Sequence, residues 1–201
     1  MVIGARNSGK TNLSQYLLLN PTDENNEGLG TQSDVILVFG NGASYLQWTW
    51  LKSPHKAYPS LREDVIQNCF KINETRLQKR KPAIRFLLIF DDSLTVRTKN
   101  SDILTRLFTH GRIYNIAPLI INQSIFHCNP DWRSNTDYFF FFKPRTKREI
   151  DFIHDNLLTG TRKESEALLN SLEKHQCLMI DYCSGSTKVS KLKAPLISIK
   201  E

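Results

Sequence analysis

Met1-Val2-Ile3-Gly4-Ala5-Arg6-Asn7-Ser8-Gly9-Lys10-Thr11 sets three apolar residues ahead of the spacing G-x-x-x-x-G-K-T. A loop that wraps a triphosphate needs glycine where a Cβ would block the approach or forbid the backbone angles. Successive amide N–H groups then point inward at phosphate oxygens. The Lys10 ammonium reaches the β- and γ-phosphates, the Thr11 hydroxyl ligands Mg²⁺, and the positive end of a helix starting near Lys10 adds attraction for anions. Gly4, Ala5, Arg6, Asn7, Ser8, Gly9, Lys10, Thr11 and Asn12 are the expected nucleotide-binding set. The motif needs a strand before it and a helix after it. Leu13, Leu17 and Leu18 mark an apolar face at helical spacing until Asn20-Pro21 ends it.

Further along, strands and helices alternate. Pro21 to Asp34 is polar and aperiodic, a surface loop, and Val35–Phe39 is a buried strand closed by Gly40-Asn41-Gly42. Ser44–Tyr58 sets Trp48, Trp50, Lys52, His55 and Lys56 around Pro54 and takes no assignment from pattern alone; aromatics among bases fit a cover over the sheet better than a grip on nucleic acid. Ser60-Leu61-Arg62-Glu63 reads as a capping box for a long helix whose apolar face carries Leu61, Val65, Ile66, Cys69, Phe70, Ile72 and Leu77. Its basic end, Arg76 with Lys79, Arg80 and Lys81, suits the helix dipole without any DNA. A third strand is expected at Ala83–Phe90, a helix from Ser101 to His110 stopped by Gly111, and strands at Ala117–Asn122 and Asp137–Phe142. Thr146 and Thr161 each open a helix with glutamate three residues on, and Gln176–Tyr182 pairs with Thr187–Leu192 as a hairpin turning at Ser184-Gly185-Ser186. The pattern predicts a three-layer α/β fold with a mostly parallel central sheet and a C-terminal β-hairpin, one domain over residues 1–201.

Composition narrows the class. A chain of 201 residues that is 40% hydrophobic suits one α/β domain with a real core. The apolar runs are too short to span a bilayer and no charged-then-apolar leader precedes the first strand, so a soluble, non-secreted protein is expected. Cys69, Cys128, Cys177 and Cys183 lack metal or disulfide spacing and read as buried thiols. The net charge of +7 suits either a polyanionic partner or a solubilising surface. Three residues before Gly4 make a first strand shorter than a central strand usually is, as expected of a clipped strand or of lost preceding residues.

The second chemical motif is Phe86-Leu87-Leu88-Ile89-Phe90-Asp91-Asp92, an apolar strand ending in paired carboxylates. Ligands bind outside the carboxyl ends of parallel strands, so both acids are expected to face the phosphate loop. Asp91 is assigned to the Mg²⁺ shell and Asp92 to the base that polarises the attacking water. Asn122-Gln123 ends the next strand, and a strand inserted between the two motifs sets a polar amide beside the γ-phosphate; Gln123 is the expected sensor. No N-K-x-D follows, which favours ATP over GTP. Phosphoryl transfer also needs a cation near the developing charge, and Arg112 and Arg133 are the candidates for a finger acting on a neighbouring subunit.

These stretches, with Leu107–Asn115 (L-F-T-H-G-R-I-Y-N) and Asp131–Tyr138 (D-W-R-S-N-T-D-Y), resemble the poxvirus-type genome-packaging ATPases of large DNA viruses, members of the FtsK–HerA superfamily of ring-forming DNA pumps. The resemblance runs from the phosphate loop to Tyr138 and touches the hairpin Cys177–Leu192. It implies a P-loop NTPase fold of the ASCE/RecA-like kind and Lys10 and Thr11 on ATP and Mg²⁺. It also implies Asp91 and Asp92 as metal-organising and catalytic acids, Gln123 as sensor, and recurring arginines at Arg112 and Arg133. Double-stranded DNA, a homo-oligomeric ring of five or six copies, capsid vertex proteins and an infected host cell, cytoplasm or nucleus, come with it. Arg97 and Lys99, in the loop after the paired acids, are candidate DNA contacts, though a solvated loop is the reading that fits them better. The abbreviated first strand departs from the family pattern, and no nuclease domain of the kind carried by packaging motors that cut DNA is expected within residues 1–201. A cellular DNA pump or helicase, a small-molecule kinase and a non-hydrolysing nucleotide binder are the rival readings.

Overall fold

The computed structural model describes residues 1–19, 32–51, 55–183 and 187–194. Among them eight strands join one sheet: β1 (Val2–Ile3), β2 (Val35–Phe39), β3 (His55–Tyr58), β4 (Phe86–Asp91), β5 (Ile116–Asn122), β6 (Tyr138–Phe142), β7 (Gln176–Asp181) and β8 (Lys188–Lys193). Their order is β3-β2-β4-β5-β1-β6-β7-β8. Every pairing from β3 to β6 is parallel; β6–β7 and β7–β8 are antiparallel.

Strands covered on both faces read as continuous apolar runs, and alternate residues feed opposite cores. Leu37, Phe39, Leu88, Phe90, Ile120 and Phe141 point to one face. There they meet Ile66 and Phe70 of α2 (Glu63–Gln78), Leu104 and Leu107 of α3 (Asp102–His110), Trp132 of α4 (Pro130–Ser134), Ile153 of α5 (Lys147–Leu157) and Leu169 of α6 (Arg162–Asn170). Ile36, Val38, Leu87, Ile89, Ile121 and Phe140 point to the other, under Leu13 and Leu18 of α1 (Lys10–Leu19) and under Trp48 and Leu51. Helices therefore cover both faces of a mostly parallel sheet, the three-layer arrangement expected of the sequence. The Thr146 and Thr161 capping boxes form, as does the hairpin; its tip, and the polar loop over residues 20–31, lie outside the described residues.

Three expectations are corrected and one unassigned stretch is resolved. The chain is still non-helical at Leu61 and Arg62, so α2 starts at Glu63 with Arg62 at the cap position and no side-chain cap; Leu61 packs onto the core and Arg62 pairs with Asp64 at 2.7 Å. Ile72 and Leu77 fall off the buried face of α2, which Asn73 joins instead, fully buried. Asn73 Nδ2 donates to the carbonyls of Ile84 (2.8 Å) and Tyr114 (2.6 Å) while its Oδ1 accepts the Ile84 N–H (2.9 Å). Cys183 is exposed, unlike Cys69, Cys128 and Cys177, and all four are free thiols. The unassigned stretch after Gly42 folds as a 3₁₀ turn, Gly42–Trp48, and then as the edge strand β3, with Trp48 wholly buried.

Candidate functional site

The C-terminal ends of β4, β5 and β1 lie side by side, with β5 between the strand of the paired acids and the strand of the phosphate loop. Register brings Asp91 opposite Ile121 and Ile3 opposite Asn122. The loop Gly4–Gly9 rises from this edge, tied by the Gly4 N–H to the Asn122 carbonyl at 3.1 Å. A Cβ on Gly4 would come within 2.6 Å of the Phe142 Cβ, and Gly9 has φ +107°, so both glycines are required by the backbone. Behind the loop, His175 Nδ1 lies 3.1 Å from the Ser8 carbonyl, which fixes that nitrogen as the protonated one. The Ala194 N–H donates to the His175 carbonyl at 2.8 Å, so the C-terminal hairpin buttresses the loop.

A cleft of about 450 Å³ opens on the front of the loop. Its floor gathers Lys10, Thr11, Asp91, Asp92 and Gln123, and its rim carries Arg6 and Asn7. Lys10 is 7% exposed, and its Nζ donates to the Ala5 carbonyl at 3.0 Å. Burial pulls its pKa below the ordinary value; Asp92 and Asp91 oppose that shift and Arg145 adds to it. Asp91 is 4% exposed. Burial pushes its carboxyl up to about 6, the Trp48 indole pulls it back, Asp92 raises it and Lys10 lowers it. Asp92 has φ +51°, a conformation that turns its side chain out of the strand line. Its Oδ2 accepts from Gln123 Nε2 at 2.9 Å, while Oδ1 is buried without a partner.

The expected residues thus fall in several places. Arg6, Asn7, Lys10, Thr11, Asp91, Asp92 and Gln123 line the cleft. Gly4 and Ala5, with Arg6 and Gln123, line a neighbouring cavity of about 260 Å³ floored by Ile125 and Phe141. Ser8 and Gly9 form the back of the loop, and Asn12 lies one residue beyond the lining. Arg112 and Arg133 do not reach the cleft. Arg112 sits in the turn before β5 and pairs with Asp137, which precedes β6, at 3.0 Å. That is the opposite end of the sheet, about 20 Å away by the rise of a seven-residue strand. Arg133 lies over the Phe152 ring at 4.7 Å and donates to the Cys128 carbonyl at 3.2 Å. Arg97 is exposed and Lys99 half-buried on the turn Val96–Asn100. Pattern reading missed Trp48, Ser44 and His175; none belongs to a motif, and only the fold brings them to the site.

Hard oxygen donors for a divalent cation are present in the Thr11 hydroxyl and the Asp91 carboxylate. Among the described residues no three His, Cys, Asp or Glu side chains cluster as a cage, and Mg²⁺ on nucleotide enzymes needs only one or two carboxylates beside the phosphates. The orphaned Asp92 Oδ1 also fits a site whose polar contacts are completed by ligand or water.

No protein-family model matches the chain. Uncharacterized protein L437 of Acanthamoeba polyphaga mimivirus is 26% identical over 127 residues, covering 59% of this chain, which spans 45% of that protein. Among solved structures, B204, the DNA-packaging ATPase of Sulfolobus turreted icosahedral virus, superposes with a TM-score of 0.64 at 17% identity, covering 94% of both chains. The genome-packaging NTPase B204 of Sulfolobus turreted icosahedral virus 2, bound to ATPγS, gives 0.66 at 15% over 96% of both. The cytoplasmic domain of the type VII secretion ATPase EccC of Thermomonospora curvata gives 0.66 at 14%, over all of this chain and 25% of that one. The chain has the P-loop ATPase fold of viral genome-packaging B204 and of the secretion ATPase EccC.

Proposed function

We propose that this chain is the ATPase subunit of a viral motor that drives double-stranded DNA into a capsid, working as a homo-oligomeric ring. The observation that carries the reading is the convergence of Lys10, Thr11, Asp91, Asp92 and Gln123 on one cleft at the carboxyl edge of a packaging-ATPase fold. Lys10 and the amides of the loop hold the β- and γ-phosphates; Thr11 and Asp91 are the residues that would hold Mg²⁺. When bound, the ion neutralises charge on the phosphate oxygens. Asp92, at the cleft floor, orients water and receives its proton as the Pγ–O bond to water forms and the bond to ADP breaks. Gln123, bonded to Oδ2 of Asp92, holds the base in place and changes partner when phosphate leaves. Arg112, exposed at the far end of the sheet, serves a site only on another copy, and Arg133 is the second candidate. The +7 charge supports a polyanionic track, with Arg97 and Lys99 as contacts that grip phosphates without reading sequence.

The equal superposition on EccC favours a second reading, a motor acting on polypeptide. Steady-state ATP hydrolysis, measured across protein concentration with long duplex DNA, with a basic peptide and with neither, separates them. A rate per chain that rises with concentration and with DNA supports the packaging motor. Stimulation by peptide alone favours the second reading, and a rate indifferent to all three overturns both in favour of a self-contained kinase-like site.

A further inference from the structure

Trp48 lies 43 residues from Asp91 in sequence, yet its indole Nε1–H donates to Asp91 Oδ2 at 2.9 Å. The ring is wholly buried, in the layer that also holds Leu51. The turn that carries it is fastened to the same residue at a second point: Ser44 Oγ donates to the Asp91 carbonyl at 3.2 Å and accepts the Asn41 N–H at 2.8 Å. A third tie runs to the phosphate-loop helix, where Gln15 Nε2 donates to the Gln47 carbonyl at 3.1 Å. A buried indole needs an acceptor, but any backbone carbonyl would satisfy it. Here the acceptor is one oxygen of the carboxylate that faces the cleft, and the described hydrogen bonds leave the other oxygen unengaged.

We propose that Trp48 is a positioning residue for the metal site: by occupying Oδ2 of Asp91 it fixes the carboxylate plane, presents Oδ1 to the hydration shell of Mg²⁺, and couples the Gly42–Trp48 turn to metal binding. The inference rests on the proposed assignment of Asp91 to that shell. Partners of this outer kind set ligand orientation, and their loss costs about 10- to 100-fold in metal affinity. Trp48→Phe keeps an aromatic ring in the layer but removes the N–H donor together with the pyrrole half of the indole, so a packing control is needed beside it.

The test is the affinity of the full chain for ATPγS, by calorimetry, in EDTA and in Mg²⁺. Wild type is expected to bind in both and more tightly with Mg²⁺. Trp48→Phe is expected to keep its EDTA affinity within about twofold while the gain from Mg²⁺ falls about 10- to 100-fold. Leu51→Ala, which loosens the same layer but leaves the indole bond, should lower the melting temperature and keep the gain. An undiminished Mg²⁺ gain in Trp48→Phe, or an equal loss in both variants, overturns the positioning role. A wild type that binds no nucleotide instead overturns the functional reading beneath it. Should Trp48→Phe not fold, the indole ¹⁵N–¹H resonance of Trp48 in wild type decides: it moves when Mg²⁺ is added to the ATPγS complex, and a resonance that stays in place sinks the proposal.

Discussion

A carboxylate at the end of a strand buried on both faces is held ionised at a cost. The Asp91 pKa of about 6 lies above its ordinary value of 3.8, chiefly through burial, so the folded chain binds this proton more tightly than the unfolded chain. The ionised form therefore lowers stability, by an amount that is full above pH 6, shrinks as pH falls through 6 and is gone near pH 4. Asp91→Asn is expected to stabilise the nucleotide-free protein at pH 7.5 by on the order of 3 kcal/mol, with little difference from wild type near pH 4, as urea melts at the two pH values will show. The same variant should lose the stabilisation that Mg²⁺ adds to bound ATPγS. Asp92→Asn is expected to bind ATP yet turn over at least about 10²-fold more slowly, and Lys10→Ala to abolish hydrolysis; persistent turnover in Asp92→Asn would remove Asp92 from the role of base. Asn73 tests packing alone: Asn73→Ala strands two carbonyls and an N–H in the core and should cost about 3 kcal/mol without touching nucleotide affinity.

The phosphate loop is shaped by elements distant in sequence. β6 supplies the Phe142 wall that excludes a side chain at Gly4, and the β7–β8 hairpin supplies the His175 bond behind Ser8. Losing that one bond, worth about 1 kcal/mol, should raise the ATPγS dissociation constant about fivefold in His175→Ala, with His175→Asn restoring part of it; equal affinities would mean the loop holds its shape unaided. Helices with local signals were legible. Ser101 accepts from Leu104 N, Thr146 from Glu149 N and Thr161 from Glu164 N, each as a polar cap followed by an apolar face predicts. Ser60 carried the same signal and failed: Arg62 is extended at the cap position, Leu61 lies half-buried against the core, and α2 begins only at Glu63.

Across the molecule, the cleft and Arg112 lie at opposite ends of the sheet, so an arginine finger at Arg112 operates only between copies. Arg112→Ala should leave hydrolysis at high dilution unchanged and cut the concentration-dependent rate by about 10³-fold; an unchanged rate at every concentration would exclude Arg112 from the finger role. Because release of counterions drives non-specific DNA binding, stimulation by DNA should fall steeply between 50 and 200 mM salt, roughly 10³-fold in affinity if six phosphates are contacted.

The sequence by itself determined the phosphate loop, the apolar strand ending in Asp91-Asp92, the alternation of strands and helices, and the C-terminal hairpin. Each of these depends on residues adjacent or at fixed short spacing, where backbone sterics and periodicity act locally. Only the tertiary structure decided that β5 lies between β4 and β1, setting Gln123 on Asp92, that Trp48 reaches Asp91, that His175 backs the loop, and that Arg112 stands apart from the cleft. Those contacts join residues 31 to 167 positions apart, and burial of two apolar faces of one sheet, rather than any local preference, brings them together.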